Sequence, residues 1–296
     1  MIWVTWRQHR TQAAACFAII CVVAVLAVTL GLWMRTAFSD DGLPACLARS
    51  GGADCQGKIA GFVHKFTSAT QLISVPLLAI PGFLGAITGP LLLGRELEQG
   101  TWRMAWSQTV PRTRWLTTKL VLVTGGLVIF GAAISALVSW YQAPLDQVST
   151  RLQLSTYVTG GLVFTCSLLC AFGIGVLTGL LLRNTVGAMV VAYISWEIVG
   201  TPGILLSGPL HIPGPATMRL PCRDGCPGAS AGSVLPATGH FGDQVLSVTR
   251  SGAQLIVSYL PAGRFWTLQF IAGGLYLLVG AAAVACAVWL LHRRTT

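Results

Sequence analysis

The chain has 296 residues, of which 54% are apolar and only 9% charged, with a mean hydropathy of +0.71. Soluble proteins carry about 25% charged residues, so the composition excludes an ordinary soluble domain and places the chain in the membrane class. The net charge of +10 then reads as membrane topology rather than nucleic-acid binding, because Lys and Arg collect on the cytoplasmic side.

A span needs about 20 mostly apolar residues to cross the hydrocarbon layer. Six stretches qualify: 13–34, 69–93, 118–141, 156–182, 186–206 and 265–291. Their apolar runs are continuous rather than alternating, which predicts helices and not barrel strands. The expected fold class is an all-α integral membrane protein of six transmembrane helices, a single domain over residues 1–296.

Residues 1–12 set Trp3 and Trp6 beside Arg7 and Arg10. That pairing predicts a short interfacial helix on the inner leaflet. The first apolar run exceeds the 7–15 residues usual for a signal peptide, so it reads as an uncleaved anchor. Residues 36–68 read as an outer loop, with turn chemistry at Asp41-Gly42 and Gly51-Gly52. The second span carries Pro76, Pro81 and Pro90, each expected to disturb the helix. Gly85 and Gly89 have the spacing that lets helices approach closely, as do Gly175 and Gly179. In a chain with 34 glycines that signal is weak.

Residues 94–115, GRELEQGTWRMAWSQTVPRTRW, separate the second and third spans. They hold two of the three glutamates and three of the ten tryptophans. On a helix, Glu96, Gln99, Arg103 and Ser107 share one stripe. Leu97, Trp102, Met104, Ala105 and Trp106 cover much of the rest, so the helix is expected to lie along the inner surface. Pro111 ends it.

Only Arg183-Asn184-Thr185 separates the fourth and fifth spans, which makes them antiparallel neighbours. Glu197 is the one carboxylate inside a span. A charge there costs on the order of 3 kcal/mol by insertion scales. It is a candidate for a substrate pathway. The other reading is structural, a cap on a helix broken at Gly200-Thr201-Pro202. Residues 207–264 read as an outer cap segment, rich in Gly and Pro at first and more regular in its second half.

Orientation follows from the basic residues. With both termini inside, the inner segments hold ten of the 19 Lys and Arg in far fewer residues than the outer ones: Arg7, Arg10, Arg95, Arg103, Arg112, Arg114, Lys119, Arg183, Arg293 and Arg294. Of the nine acids, six fall outside. Four cysteines outside the spans, Cys46, Cys55, Cys222 and Cys226, also fall on the outer face, where disulfides form. Four cysteines allow three pairings; Cys46–Cys55 with Cys222–Cys226 closes the shortest loops and is the expected one, against four free thiols.

No G-x-x-x-x-G-K-[ST] occurs, so the chain lacks a P-loop and is not expected to be an ATPase. No H-E-x-x-H or C-x-x-C occurs, and Cys222 and Cys226 have no histidine at metal-ligand spacing. Neither a catalytic group, a metal nor a cofactor is expected on this chain.

Residues 94–115 resemble the signature of the type-2 ABC transporter permeases. Glu96, Glu98, Gly100 and Thr101 match its E-x-E-x-G-T run. Trp106, Ser107, Gln108, Thr109, Val110, Arg112, Arg114 and Trp115 match the following W-S-Q-[ST]-V-x-R-x-R-W. TWRQHR at 5–10 and YLPAGRFWTLQ at 259–269 look like the same branch. The resemblance implies a permease subunit of an ATP-driven exporter in the cell membrane. It implies a separate ATPase partner carrying ATP and Mg²⁺, and a second permease copy. It also implies that residues 94–115 are a cytoplasmic coupling helix. Its contacts would then be Glu96, Glu98, Gln99, Gly100, Thr101, Arg103, Ser107, Arg112 and Arg114. The few polar groups in the spans favour a hydrophobic or amphipathic cargo. The competing readings are an intramembrane lipid-processing enzyme using Glu197, and a non-transporting membrane scaffold or sensor.

Overall fold

A computed structural model of the protein describes residues 2–48, 53–98, 112–182, 184–207, 216–221, 243–251 and 254–293. Helices dominate them: α1 (Ile2–Asp40), α2 (Leu43–Ala48), α3 (Ala53–Glu98), α4 (Arg112–Gln142), α5 (Leu154–Thr159), α6 (Leu162–Leu182), α7 (Thr185–Ser207) and α8 (Phe265–Arg293). Five helical segments are long and apolar enough to cross a membrane: Arg10–Asp40, Cys55–Leu92, Leu116–Gln142, Leu162–Leu182 and Ala262–Arg293. α7 contributes a shorter apolar run, Thr185–Gly200. The protein is therefore a multi-pass membrane protein.

α6 is the central helix. Two thirds of its apolar window is buried (67%), against 17% for α1 and 22% for α8. It packs along α3 on one side and α8 on the other, with α7 beside it. α1 lies outside this group, against α4. The small residues of α6 explain its place. A Cβ added at Gly175 would stand 2.6 Å from the Gly85 carbonyl oxygen, and one at Gly89 would stand 2.6 Å from the Gly175 backbone. Pro90 closes the same seam, 2.8 Å from a Cβ built at Gly179. Backbones meet here directly, as small-x-x-x-small spacing permits. The prolines of α3 sit inside a helix that does not break.

Two of the helices are about twice as long as a bilayer requires. At 1.5 Å per residue, α1 (39 residues) and α3 (46 residues) reach about 58 and 69 Å, roughly twice the hydrocarbon thickness. Residues 36–68 are thus not an open loop. α1 runs on to Asp40, a turn at Gly42 with φ 68° reverses the chain, and α2 leads back into α3. Apolar side chains hold this hairpin together. Phe38 meets Phe62 edge-on at 5.6 Å, Trp33 meets Phe66 at 4.8 Å, and Leu43 is fully buried at the tip. The Cys46–Cys55 disulfide staples it, with Cα atoms 5.6 Å apart. That is the expected local pairing; Cys222 and Cys226 lie outside the described residues. We call the hairpin end of the molecule distal and the opposite end proximal.

Two further expectations are corrected. Residues 2–12 are not a separate interfacial helix, since α1 is continuous from Ile2. The stretch 156–182 is not one span. It divides at Gly160-Gly161 into α5 and α6. The predominantly helical fold carries one addition. The segment expected to be an outer cap holds an antiparallel sheet of order β1-β3-β2, built from Ala216–Pro221, Gln244–Ser251 and Gln254–Leu260. Met218 and Val248 both pair with Val257. In the sheet Val257 and Leu260 are buried, and Leu260 joins the cluster of Tyr157, Phe265 and Leu268 that seats the cap on the helices. Asp243 accepts the Ala262 N–H at 2.8 Å and ties the start of β2 to the exit from β3.

Candidate functional site

The expected coupling segment joins α3 to α4 at the proximal end. Glu96 and Glu98 belong to the last turn of α3, and Arg112 and Arg114 to the first turn of α4. Their side chains, and all of Gln99, Gly100, Thr101, Arg103 and Ser107, lie outside the described residues. Arg183 does so as well.

Glu197 is described. It lies on the exposed face of α7, in line with Val186, Val190, Ile194 and Ile198, which are 70, 55, 52 and 66% exposed. Tyr193, one turn earlier, hydrogen-bonds to it. The opposite face of α7 is the packed one: Trp196 is buried and occupies the space that a side chain at Gly82 would need. The helix break expected after Glu197 is absent, because α7 runs unbroken through Gly200 and Pro202 to Ser207. The Gly200 carbonyl instead accepts the Tyr276 hydroxyl at 3.0 Å. A carboxylate on an otherwise apolar helix face is costly against lipid. That face is therefore suited to water or to another protein chain.

Two polar clusters escaped the sequence reading. Both lie toward the distal end. In the first, Ser74, Tyr141 and Gln142 are buried and mutually hydrogen-bonded: the Gln142 amide donates to the Ser74 hydroxyl at 3.2 Å and to the Tyr141 hydroxyl at 3.1 Å, and the two hydroxyls lie 3.0 Å apart. Next to it is a cavity of about 10 Å³ lined by Thr70, Gln142 and Asp146 among others, the size of roughly one water. Thr70 is buried, and its hydroxyl has no hydrogen-bond partner among the described residues. In the second, the Gln269 side chain fills the break between α5 and α6. Its oxygen accepts the Val163 N–H at 2.9 Å, and its amide donates to the Tyr157 carbonyl at 2.7 Å. Ser135 donates to the Gly161 carbonyl at 2.8 Å. A lone glutamine in the apolar run FWTLQFIAGG was the available signal, since an amide inside a membrane pairs with freed backbone groups.

Asp146 has a specific electrostatic state. Its side chain is 10% exposed and pairs with Arg151 at 2.9 Å. Burial raises its pKa to about 6, and Arg151 only partly opposes that. Because the folded pKa lies above the unfolded one, the folded state holds the proton more tightly between about pH 4 and 6. Stability therefore falls as pH rises through that window. Above it, the ionised carboxylate leans on Arg151. Arg151→Ala is expected to lower the thermal midpoint at pH 7.5, by about 1 kcal/mol equivalent because Arg151 is half exposed. At pH 5 the loss should largely vanish, and in an Asp146→Asn background it should vanish at both. Tryptophan-fluorescence melting of the detergent-purified protein measures this; equal losses at both pH values would remove Asp146 as the cause.

The family model described as ABC-2 membrane transporter related matches residues 17–201, from within α1 to within α7. No curated protein and no solved structure matches the chain.

Proposed function

The chain belongs to the ABC-2 membrane transporter related family, and from that premise we propose that this transporter permease is the membrane subunit of an ATP-driven exporter working with a separate ATPase. The observation that carries the reading is the family match over residues 17–201. It agrees with the motif residues from Glu96 to Trp115. ATP and Mg²⁺ are bound by the ATPase, since this sequence has no P-loop. The apolar α7 completes six spans with both termini and residues 94–115 on the cytoplasmic side of the cell membrane. The basic ends of α1, α4 and α8 support that orientation. Residues 94–115 are the coupling helix, through which closure of the ATPase moves α3 and α4.

Two permease copies enclose the pathway. The exposed face of α7 with Glu197 borders it, which gives the carboxylate a polar setting. The remaining surfaces of the spans are apolar, and this favours a hydrophobic or amphipathic cargo.

The test is charge reversal in the coupling helix. Glu96→Arg with Arg103→Glu should leave the protein inserted and folded while the ATPase no longer co-purifies. Loss of one partner from buried interface charge pairs costs on the order of 2–5 kcal/mol. Full ATP-dependent transport by the reversed variant in vesicles would defeat the coupling assignment. In the same vesicles, Glu197→Gln should assemble with the ATPase but transport poorly; unchanged transport removes Glu197 from the pathway.

A further inference from the structure

α1 and α4 are parallel neighbours that touch at one end and part at the other. Toward the distal end they are locked: Gly31 lies against Trp140 and Tyr141, and Arg35 stacks over the Trp140 ring at 4.7 Å while donating to its carbonyl at 3.2 Å. Toward the proximal end the helices diverge. Between them, floored by Thr88 of α3, lies a groove of about 580 Å³. Its walls are apolar, formed by Phe17, Ile20, Val121 and Phe130 together with Gly125 and Gly126.

The paired glycines are informative. A Cβ built at either meets nothing within 4 Å. No packing among the described residues calls for two consecutive residues without side chains there. They deepen a trough that opens toward the membrane, and a cavity of several hundred Å³ is of the size that holds a small-molecule ligand.

Charge sets what fits. The proximal ends of the two walls carry Arg7 and Arg10 on α1 and Arg112 and Arg114 on α4, with no acidic residue in either first turn. Arg10 is exposed, two residues before the groove-lining Gln12. α3 ends nearby with Arg95, Glu96 and Glu98, so the balance at this end stays positive. An apolar trough at hydrocarbon depth under a basic rim complements one kind of molecule.

We propose that the groove between α1, α3 and α4 is a binding site for an anionic phospholipid, with one acyl chain in the trough over Gly125-Gly126 and the headgroup at the rim beside the exposed Arg10. The site stands apart from the transport reading, because lipid occupancy requires no ATPase. A second copy of the chain is the rival occupant. It would meet the same positive rim with its own and so bring like charges together, which disfavours it.

Native mass spectrometry of the full chain released from phosphatidylcholine nanodiscs doped with phosphatidylglycerol tests the site. The wild type should retain phosphatidylglycerol in preference to phosphatidylcholine. Arg10→Gln should reduce that preference about fivefold, as expected for about 1 kcal/mol per basic residue near an anionic headgroup. Gly126→Leu fills the trough without touching a neighbour and should abolish retention. Gly274→Leu, on α8 and equally open, should not. The proposal is overturned if the wild type shows no preference for the anionic lipid, or if Gly126→Leu retains it at the wild-type level. It is also overturned if Gly126→Leu converts dimers to monomers without changing lipid retention, which would give the groove to a second copy.

Discussion

Gly89→Leu is expected to eliminate the folded protein from membranes. A Cβ at this position stands 2.6 Å from the Gly175 backbone and 2.6 Å from the Phe172 carbonyl oxygen. Side chains can turn away from an intruder; main chain cannot. The helices α3 and α6 would have to separate, and this seam carries the centre of the molecule. Overpacking of a well-filled core costs about 1–3 kcal/mol when neighbours can adjust, and more when they cannot. The expected loss here is above that range. Gly175→Leu should behave alike, because its own Cβ meets Gly85 and Pro90. Gly274→Leu, facing open space, should express normally. Yield of monodisperse protein after detergent extraction, with thermal melting of whatever survives, measures the contrast. Equal yields for Gly89→Leu and Gly274→Leu would mean that α3 and α6 are not in backbone contact.

The same glycines show how far the sequence could be read. Gly85/Gly89 and Gly175/Gly179 have the right spacing, yet spacing says only that a helix can be approached. It does not name the partner, and 34 glycines offer many such pairs. The spans themselves were legible, because a continuous apolar run of span length has few alternatives in a bilayer. Their ends were not. Residues 36–68 contain polar and turn-forming residues, and local signals read them as a loop. Contacts distant in sequence, Phe38 with Phe62 and Cys46 with Cys55, make them the tip of a helical hairpin. In the cap, QVLSVTRS and QLIVSYL carry β-branched residues with partial alternation on either side of Ser251-Gly252. That strand signal was present and was outweighed by the helical context of the rest of the chain.

The candidate site was legible to a different degree in each of its parts. The charged residues from Glu96 to Arg114 stand out because charge is rare in this chain, and the family resemblance gave them a role. Glu197 stands out for the same reason, and the structure adds which face of α7 it occupies. Asp146 did not stand out. In sequence it is one of several outer acids, and only its burial beside Arg151 makes it distinct. The groove between α1 and α4 could not be read at all, since it depends on the divergence of two helices about a hundred residues apart in sequence.

Gln269→Leu is expected to cost on the order of 2–4 kcal/mol while barely changing side-chain volume. The reason lies in the backbone. The chain stops being helical at Gly160-Gly161, and a break within an apolar setting leaves N–H and C=O groups that no water reaches. Gln269, fully buried, satisfies one of each: the Val163 N–H and the Tyr157 carbonyl. Leucine satisfies neither. Each buried backbone group left without a partner costs about 1–3 kcal/mol. Ser135→Ala removes only the single bond to the Gly161 carbonyl and should cost about 1 kcal/mol. The sharper test is a double-mutant cycle with Gly161→Ala. A Cβ at Gly161 would meet the Gln269 amide group at 2.8 Å, so that substitution should be damaging when Gln269 is present and much milder beside Gln269→Ala. Contacting residues show coupling of about 0.5–3 kcal/mol in such cycles. Thermal melting of the four proteins in one detergent gives the coupling directly. Additive losses would mean that the glutamine does not occupy the break, and that α5 and α6 are held in register by the surrounding apolar contacts alone.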